Sequence, residues 1–291
     1  MSTRRANGDS ANFRGTDMKQ LAARVLVALI AIPILVNLVL YGRFMLVAFV
    51  SVLTALGFWE FMKMTQTRIQ FFPHVLVFIC LIATNWFVYY YGESALLYSL
   101  LAGFLIVTFS AVFRRDVATA SNRIVFTLFG LFYVSLFNFF ILVRETDLLK
   151  YSDYKEAGVW ILFVFAVIWI CDTAAYFIGT PLGKHKMSPM VSPNKSWEGF
   201  AAGMIFGTVT GWAFSFLALK DIPIHQLLIA AFTISLVGQL GDLVESIFKR
   251  RFGVKDSSNI IPGHGGVLDR FDSLLYAMPA LYFLLLVLVY R

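Results

Sequence analysis

Between Ser246 and Asp272 the chain reads SIFKRRFGVKDSSNIIPGHGGVLDRFD, its longest polar run after residue 20. Lys249, Arg250, Arg251, Lys255 and Arg270 stand there beside Asp256, Asp269 and Asp272, around a Gly263-His264-Gly265-Gly266 turn. Glycine lets a backbone come close to a ligand, and successive N–H groups in a tight turn make a nest for an anion. Lysine and arginine at such a turn suit phosphate. Carboxylates in the same place make sense if a cation stands between them and the phosphate, and Mg²⁺ on oxygen ligands is the usual one. His264 has no second nitrogen or sulfur partner in the stretch, which argues against zinc. It can donate a hydrogen bond to a phosphate oxygen, or attack phosphorus directly. The stretch reads as a phosphate- and metal-handling site.

A second polar segment, Gly183 to Gly199, reads GKHKMSPMVSPNKSWEG and carries Lys184, Lys186 and Lys195. From Ser192 it runs straight into an apolar stretch. A helix N-terminus with a lysine and hydroxyls nearby attracts phosphate through unpaired N–H groups and the helix dipole. Ser196 would serve equally as an ordinary N-cap. Two acids lie inside apolar runs. Asp172 sits about two turns, or ~12 Å, from the end of its run. Asp242 is similarly deep, with Gln239 and Glu245 crowding the same turn. An acid in lipid costs about 2.5–3.5 kcal/mol on insertion scales, so each needs a partner or a task. For Asp172 both readings stay open; for Asp242 the crowding favours a task. Glu60, near the end of its run, is expected to reach the headgroups. Asn37 and Asn138 are expected to bond between helices, and His74 to sit at the interface.

These residues need elements to position them, and composition names the kind. Hydrophobic residues make up 59% and charged ones 14%, against roughly 25% charged in soluble proteins. Many windows reach the length of about 17–25 apolar residues that crosses a bilayer as a helix. The fold expected is all-α, a polytopic membrane protein with about nine spans: Val25–Tyr41, Phe44–Met62, Phe71–Tyr91, Ala95–Phe113, Ile124–Val143, Ala157–Gly179, Gly199–Leu219, Ile224–Ile247 and Leu274–Tyr290. Val25–Tyr41 is long for a signal core and no small-residue cleavage site follows it. Residues 1–24 form a polar tail, 25–156 a set of helices without assigned chemistry, and 157–291 a catalytic region with loops at 180–198 and 248–273. With the N-terminus inside, 18 of the 24 lysines and arginines fall on the cytoplasmic side and 6 on the other, which the positive-inside rule favours. The net charge of +7 is explained by such loops, and no nucleic acid partner is expected. Cys80 and Cys171 lie in apolar runs and imply no disulfide framework.

The long stretch resembles the phosphatidate cytidylyltransferase (CDP-diacylglycerol synthase) family. That signature runs Ser-x-apolar-Lys-Arg, then Lys-Asp, a His-Gly-Gly and an Asp-Arg-apolar-Asp ending. Ser246, Lys249, Arg250, Lys255, Asp256, Pro262, His264, Gly265, Gly266, Asp269, Arg270 and Asp272 fall on it without a gap. Asp172 to Tyr176 and the Ser192–Gly199 loop are also similar to the family. There Asn194 and Ser196 replace a lysine and a threonine, which leaves Lys195 as the candidate cation. The resemblance covers roughly residues 160–273.

It implies transfer of a cytidylyl group from CTP to phosphatidate at a bilayer, giving CDP-diacylglycerol and pyrophosphate, with Mg²⁺ and a possible second cation. Asp242 and Asp269 are then the metal ligands. Asp242, Asp269, Lys249, Arg270 and His264 form the catalytic set. Ser192, Lys195, Ser196, Arg250, Lys255, Asp256, Gly265, Gly266, Asp272 and Asp172 form the substrate-binding set. The implied setting is a bacterial cytoplasmic membrane, with N-terminus and active site on the cytoplasmic side. Oligomeric state is left open, a homodimer included. A CTP-dependent lipid kinase of the polyprenol or phytol type is the near alternative. An ion-coupled transporter is the distant one, disfavoured because the polar features sit in one half of the chain rather than in paired broken helices.

Overall fold

The computed structural model describes residues 29–65, 71–112, 117–146, 149, 151, 153–261 and 265–289. The polar tail and His264 lie outside the described residues. The chain begins with α1 (Leu29–Tyr41), then α2 (Arg43–Met64), α3 (Phe71–Tyr91) and α4 (Glu93–Val112). The expected fifth span is two helices, α5 (Val117–Ser135) and α6 (Asn138–Glu145). After α7 (Tyr154–Leu182) comes a small antiparallel hairpin, β1 (Lys186–Ser188) and β2 (Ser192–Ser196). Three helices finish the chain: α8 (Trp197–Leu217), α9 (Ile224–Arg251) and α10 (Leu268–Leu284), which continues as a π-helical turn over Leu285–Val289. Among the described residues eight helical segments are long and apolar enough to cross a membrane, and α1 is a shorter apolar one.

Two boundaries move from expectation. α9 runs to Arg251 and α10 starts at Leu268, so the loop between them is shorter than 248–273 and Lys249, Arg250, Asp269, Arg270 and Asp272 are helical. The 180–198 loop is mostly hairpin. The break between α5 and α6 comes without glycine or proline. There the Ser135 hydroxyl donates to the Leu131 carbonyl, and the Asn138 amide donates to the Ser135 carbonyl (3.1 Å). Asn138 therefore bonds locally, as does Asn37, which donates to the Pro33 carbonyl. Amides that do join helices include Asn85, from α3 to Ser51 and Thr54 of α2 (3.2 and 3.3 Å), and Gln239, from α9 to the Phe200 carbonyl of α8 (3.3 Å). His74, the first residue of the span His74–Tyr91, is buried within the protein.

α8 packs along both α7 and α9 through one stripe of small residues. Gly199, Gly203, Gly207 and Gly211 repeat every fourth position, which keeps them on one face of the helix. A Cβ at Gly199 would stand 2.8 Å from the Ala175 carbonyl oxygen; at Gly203, 3.1 Å from that of Cys171; at Gly211, 2.7 Å from that of Leu227. Within lipid, helices gain by close backbone packing of this kind, since lipid tails are as apolar as leucine. The earlier helices meet the later ones through aromatic rings. Phe61 of α2 and Phe129 of α5 lie 5.8 and 4.4 Å, centroid to centroid, from Phe248 of α9.

Polar contacts sort the loops to two ends. At one end the Arg144 guanidinium donates to the carbonyls of Val39 (2.9 Å), Leu40 (2.8 Å) and Tyr154 (2.5 Å), closing the α1–α2 corner onto α7. Gly42 turns that corner at φ 68°, where a Cβ would meet the Arg144 and Glu145 side chains. Tyr282 donates to Glu93 towards the same end. At the other end stand the hairpin, the α9–α10 loop and Glu60.

Candidate active site

At that second end a cavity of about 590 Å³ opens between α7, the hairpin, α8 and α9. Asp172, Tyr176 and Thr180 come from α7, Lys186, Asn194 and Lys195 from the hairpin, Phe200 from α8, and Gln239 and Asp242 from α9. Local sequence explains the arrangement. Ser196 accepts from the Gly199 N–H (3.2 Å) and caps α8, so the strand turns into the helix at that residue. His185 donates its backbone N–H to Glu198, and its ring Nδ1 lies 2.6 Å from the same carboxylate, which fastens the hairpin base. The hairpin turn is held by Arg250, whose guanidinium donates to the Val191 carbonyl (3.1 Å). Lys195 is thereby delivered to Asp242, with Nζ 2.6 Å from Oδ2.

A second cluster lies behind the cavity. The Lys249 ammonium stands between Asp269 (2.8 Å) and Glu245 (3.3 Å). Asp269 also accepts from the Ser257 N–H (2.8 Å), the Ser257 hydroxyl (2.9 Å) and the Gly266 N–H (2.8 Å). Gly265, at φ 82°, would place a Cβ 2.8 Å from Asp269 Oδ2, so turn geometry and close approach both demand glycine there. Asp272 faces Glu245 on α9. Asp172 of α7 and Asp242 of α9 share the cavity wall.

The candidates read from sequence divide accordingly. The structure puts Asp172, Lys195, Ser196 and Asp242 on the cavity wall. Asp269, Lys249, Gly265 and Gly266 belong to the cluster behind it. Lys255, Asp256 and Arg270 are exposed, and Ser192 sits in β2 away from the lining. Arg250 commits its donors to two backbone carbonyls, Val191 and Val254. Ser196 is a buried cap, as a bland reading of the sequence allows. Sequence reasoning named Lys186 only among the lysines of its loop, and missed Thr180 on the wall and Ser257 in the cluster. It also misplaced Glu60, which is fully buried and accepts three hydrogen bonds from the α9–α10 loop and one from the first residue of α10 rather than reaching headgroups. The cost of an acid in an apolar run was the signal, and a loop some 200 residues away is the partner.

The donor chemistry suits a hard cation. Oxygen ligands from carboxylates are what Mg²⁺ takes, and no thiol faces Asp242. Asp242 accepts from Lys195 and, at 3.4 Å, from the Ser246 hydroxyl, which leaves acceptor capacity towards the cavity. Asp269 already receives four donors, so it would have to release one to take a metal. Among the described residues no group of three or more His, Cys, Asp or Glu side chains converges as a ready metal site.

Comparison with known proteins gives the family. The model of the cytidylyltransferase family matches residues 22–288. A Bacillus subtilis (strain 168) protein named phosphatidate cytidylyltransferase is 36% identical over 274 residues, 92% of this chain and 98% of that protein. Proteins of the same name from Staphylococcus haemolyticus (strain JCSC1435) and Staphylococcus aureus (strain COL) are each 34% identical, over 91% of this chain and 99% of their own. With the match running from before α1 into the last turn after α10, the chain belongs to the cytidylyltransferase family.

Proposed function

We propose that the chain transfers the cytidylyl group of CTP to phosphatidate, giving CDP-diacylglycerol and pyrophosphate, at the cavity between α7, the hairpin, α8 and α9. Identity of 34–36% over more than nine-tenths of the chain with relatives named phosphatidate cytidylyltransferase carries this reading. The cavity supports it, because its lysines stand on the hairpin where membrane helices end and its acids lie about two turns deeper in α7 and α9. A lipid can keep its tails in the bilayer there while its headgroup meets a nucleotide from water. The charge asymmetry of the loops supports a cytoplasmic position for that end.

Both substrates are polyanions, so their repulsion must be offset before they react. Lys195 and Lys186 on the wall, with Arg270 beside the acids, are suited to hold phosphate oxygens. Lys249 and Asp269 keep the α9–α10 loop in register behind them. Asp242, with Asp269 once it releases one of its four donors, would hold Mg²⁺ and a second cation, which would supply positive charge to the phosphate oxygens. The acceptor is a phosphate monoester with a second pKa near ~6, so it is largely dianionic at neutral pH. One of its oxygens attacks the α-phosphorus in line. The new P–O bond forms as the bond to the β-phosphate bridge breaks, and pyrophosphate leaves with the electron pair. Neither a general base nor a protein nucleophile is needed, and His264 serves as a hydrogen-bond donor.

The test is purified protein with Mg²⁺, α-labelled CTP and phosphatidate in mixed micelles. A labelled CDP-lipid with equimolar pyrophosphate is expected. Absence of that product, or transfer of only the γ-phosphate to a lipid alcohol, would refute the reading. Labelled protein formed without lipid would refute direct transfer.

A further inference from the structure

α2 belongs to the half of the chain without assigned chemistry, yet one of its side chains ends in the loop behind the cavity. Glu60 is 0% exposed. Its Oε1 accepts from the Ser258 hydroxyl (2.6 Å) and the Val267 N–H (2.9 Å). Its Oε2 accepts from the Leu268 N–H (2.8 Å) and the Ser257 hydroxyl (3.1 Å). The first N–H groups of a helix lack partners within the helix, and no side chain of the loop itself caps α10 at Val267. Glu60 supplies that cap from another helix, where its charge also suits the dipole.

The carboxylate explains a glycine as well. A Cβ at Gly266 would overlap the Ser257 hydroxyl and stand 2.6 and 2.7 Å from the two oxygens of Glu60. Gly266 is thus small because Glu60 and Ser257 fill the space beside it. Ser257 then links Glu60 to the cluster: its one hydroxyl proton is shared between Glu60 (3.1 Å) and Asp269 (2.9 Å), and its N–H goes to Asp269, which holds Lys249. Neighbouring Phe61, packed on Phe248 of α9, fixes the height of α2 against this loop.

We infer that Glu60 is a positioning residue: it caps α10 from α2 and, through Ser257, sets where Asp269 and Lys249 stand. Its carboxylate accepts from two donor pairs, and two of the four donors are backbone N–H groups that cannot turn away. Glutamine offers one acceptor oxygen and an NH₂ that faces the other pair. Glu60→Gln should therefore loosen the loop without emptying the space.

The test has an exchange arm and a kinetic arm on the purified full chain. Hydrogen exchange by mass spectrometry in Glu60→Gln should quicken across 256–268 while peptides of α7 and α8 keep wild-type rates. With CTP, phosphatidate and Mg²⁺, kcat per folded molecule should fall about 10- to 100-fold, the scale of a misplacement near 1 Å, with KM for phosphatidate within about twofold. Adding Ser257→Ala to Glu60→Gln should cost much less than Ser257→Ala costs alone, because the link is already broken. The kinetic arm rests on the cytidylyl-transfer reading and the exchange arm does not. A wild type that makes no CDP-lipid sinks that reading, whereas unchanged exchange across 256–268 sinks the role of Glu60. So does wild-type kcat in Glu60→Gln, or activity lost only in step with the folded fraction. If Glu60→Gln is not recovered folded, Ser258→Ala removes one donor with the carboxylate intact. It should show the same changes at smaller size, and wild-type exchange and kcat there would overturn the proposal.

Discussion

Replacing Asp242 and Asp269 by asparagine removes the same charge from two very different surroundings. Asp242 shares one ion pair with Lys195, and both side chains are 29% exposed. When the carboxylate goes, Lys195 is solvated through the cavity, so the loss of stability stays within about 1 kcal/mol. Asp269 is 4% exposed and receives Lys249, both Ser257 donors and Gly266. An asparagine there must turn its NH₂ towards either the Lys249 ammonium or three N–H and O–H donors. Breaking a buried pair in this way costs about 3–5 kcal/mol. Activity has a different ledger. Loss of a carboxylate that organises cation and phosphate costs several kcal/mol of barrier, and about 4 kcal/mol is roughly a thousandfold in rate. Asp242→Asn should therefore purify with nearly wild-type thermal stability and almost no turnover, while Asp269→Asn should lose both. The assays are denaturation of detergent-solubilised protein and CDP-lipid formation at saturating Mg²⁺. Equal destabilisation by the two variants, or near-normal turnover in Asp242→Asn, would refute the reasoning.

Gly203→Val should lower stability by about 1–3 kcal/mol by pressing on the Cys171 carbonyl, whereas Ala201→Val on the exposed side of α8 should change it little; equal denaturation midpoints would show that α8 does not need its small face. Arg144→Lys should destabilise the protein by about 2–4 kcal/mol, since an ammonium cannot serve three carbonyls held by a planar fork, with turnover per folded molecule unchanged; a kinetic defect in the folded fraction would contradict the separation of the two ends. Reporters placed in the α9–α10 loop and at the C-terminus should report opposite sides, the loop cytoplasmic; an external loop would overturn both the orientation and the access of CTP.

The spans were legible because about twenty apolar residues in a row have few alternatives to crossing lipid, and the ends fell within a few residues for most helices. The α5–α6 break was not, since no glycine or proline marks it and the Ser135 and Asn138 side chains supply the substitute bonds. The acids and lysines of the cavity could be named from type and spacing. Their division could not: which oxygen of Asp269 faces Lys249, or that Arg250 braces the Val191 turn, depends on how α9 and the hairpin meet. The repeat of glycines at every fourth position of α8 was present in the sequence and is a spacing signal in its own right. Glu60 marks the limit of local reading, because its cost in an apolar run announces a partner without saying where that partner lies.

The bonds from Glu60 span 197 to 208 residues of chain. A nascent polypeptide emerges from its N-terminus, so α2 is synthesised and committed to the bilayer long before residues 257–268 exist. α10 then lacks its cap until it finds a helix laid down earlier. The α9–α10 loop can accordingly be tied down only once α2 and residues 257–268 are both in place. A truncated chain that keeps every residue of the cavity but loses α2 would carry the chemistry in its sequence and still leave the loop untied.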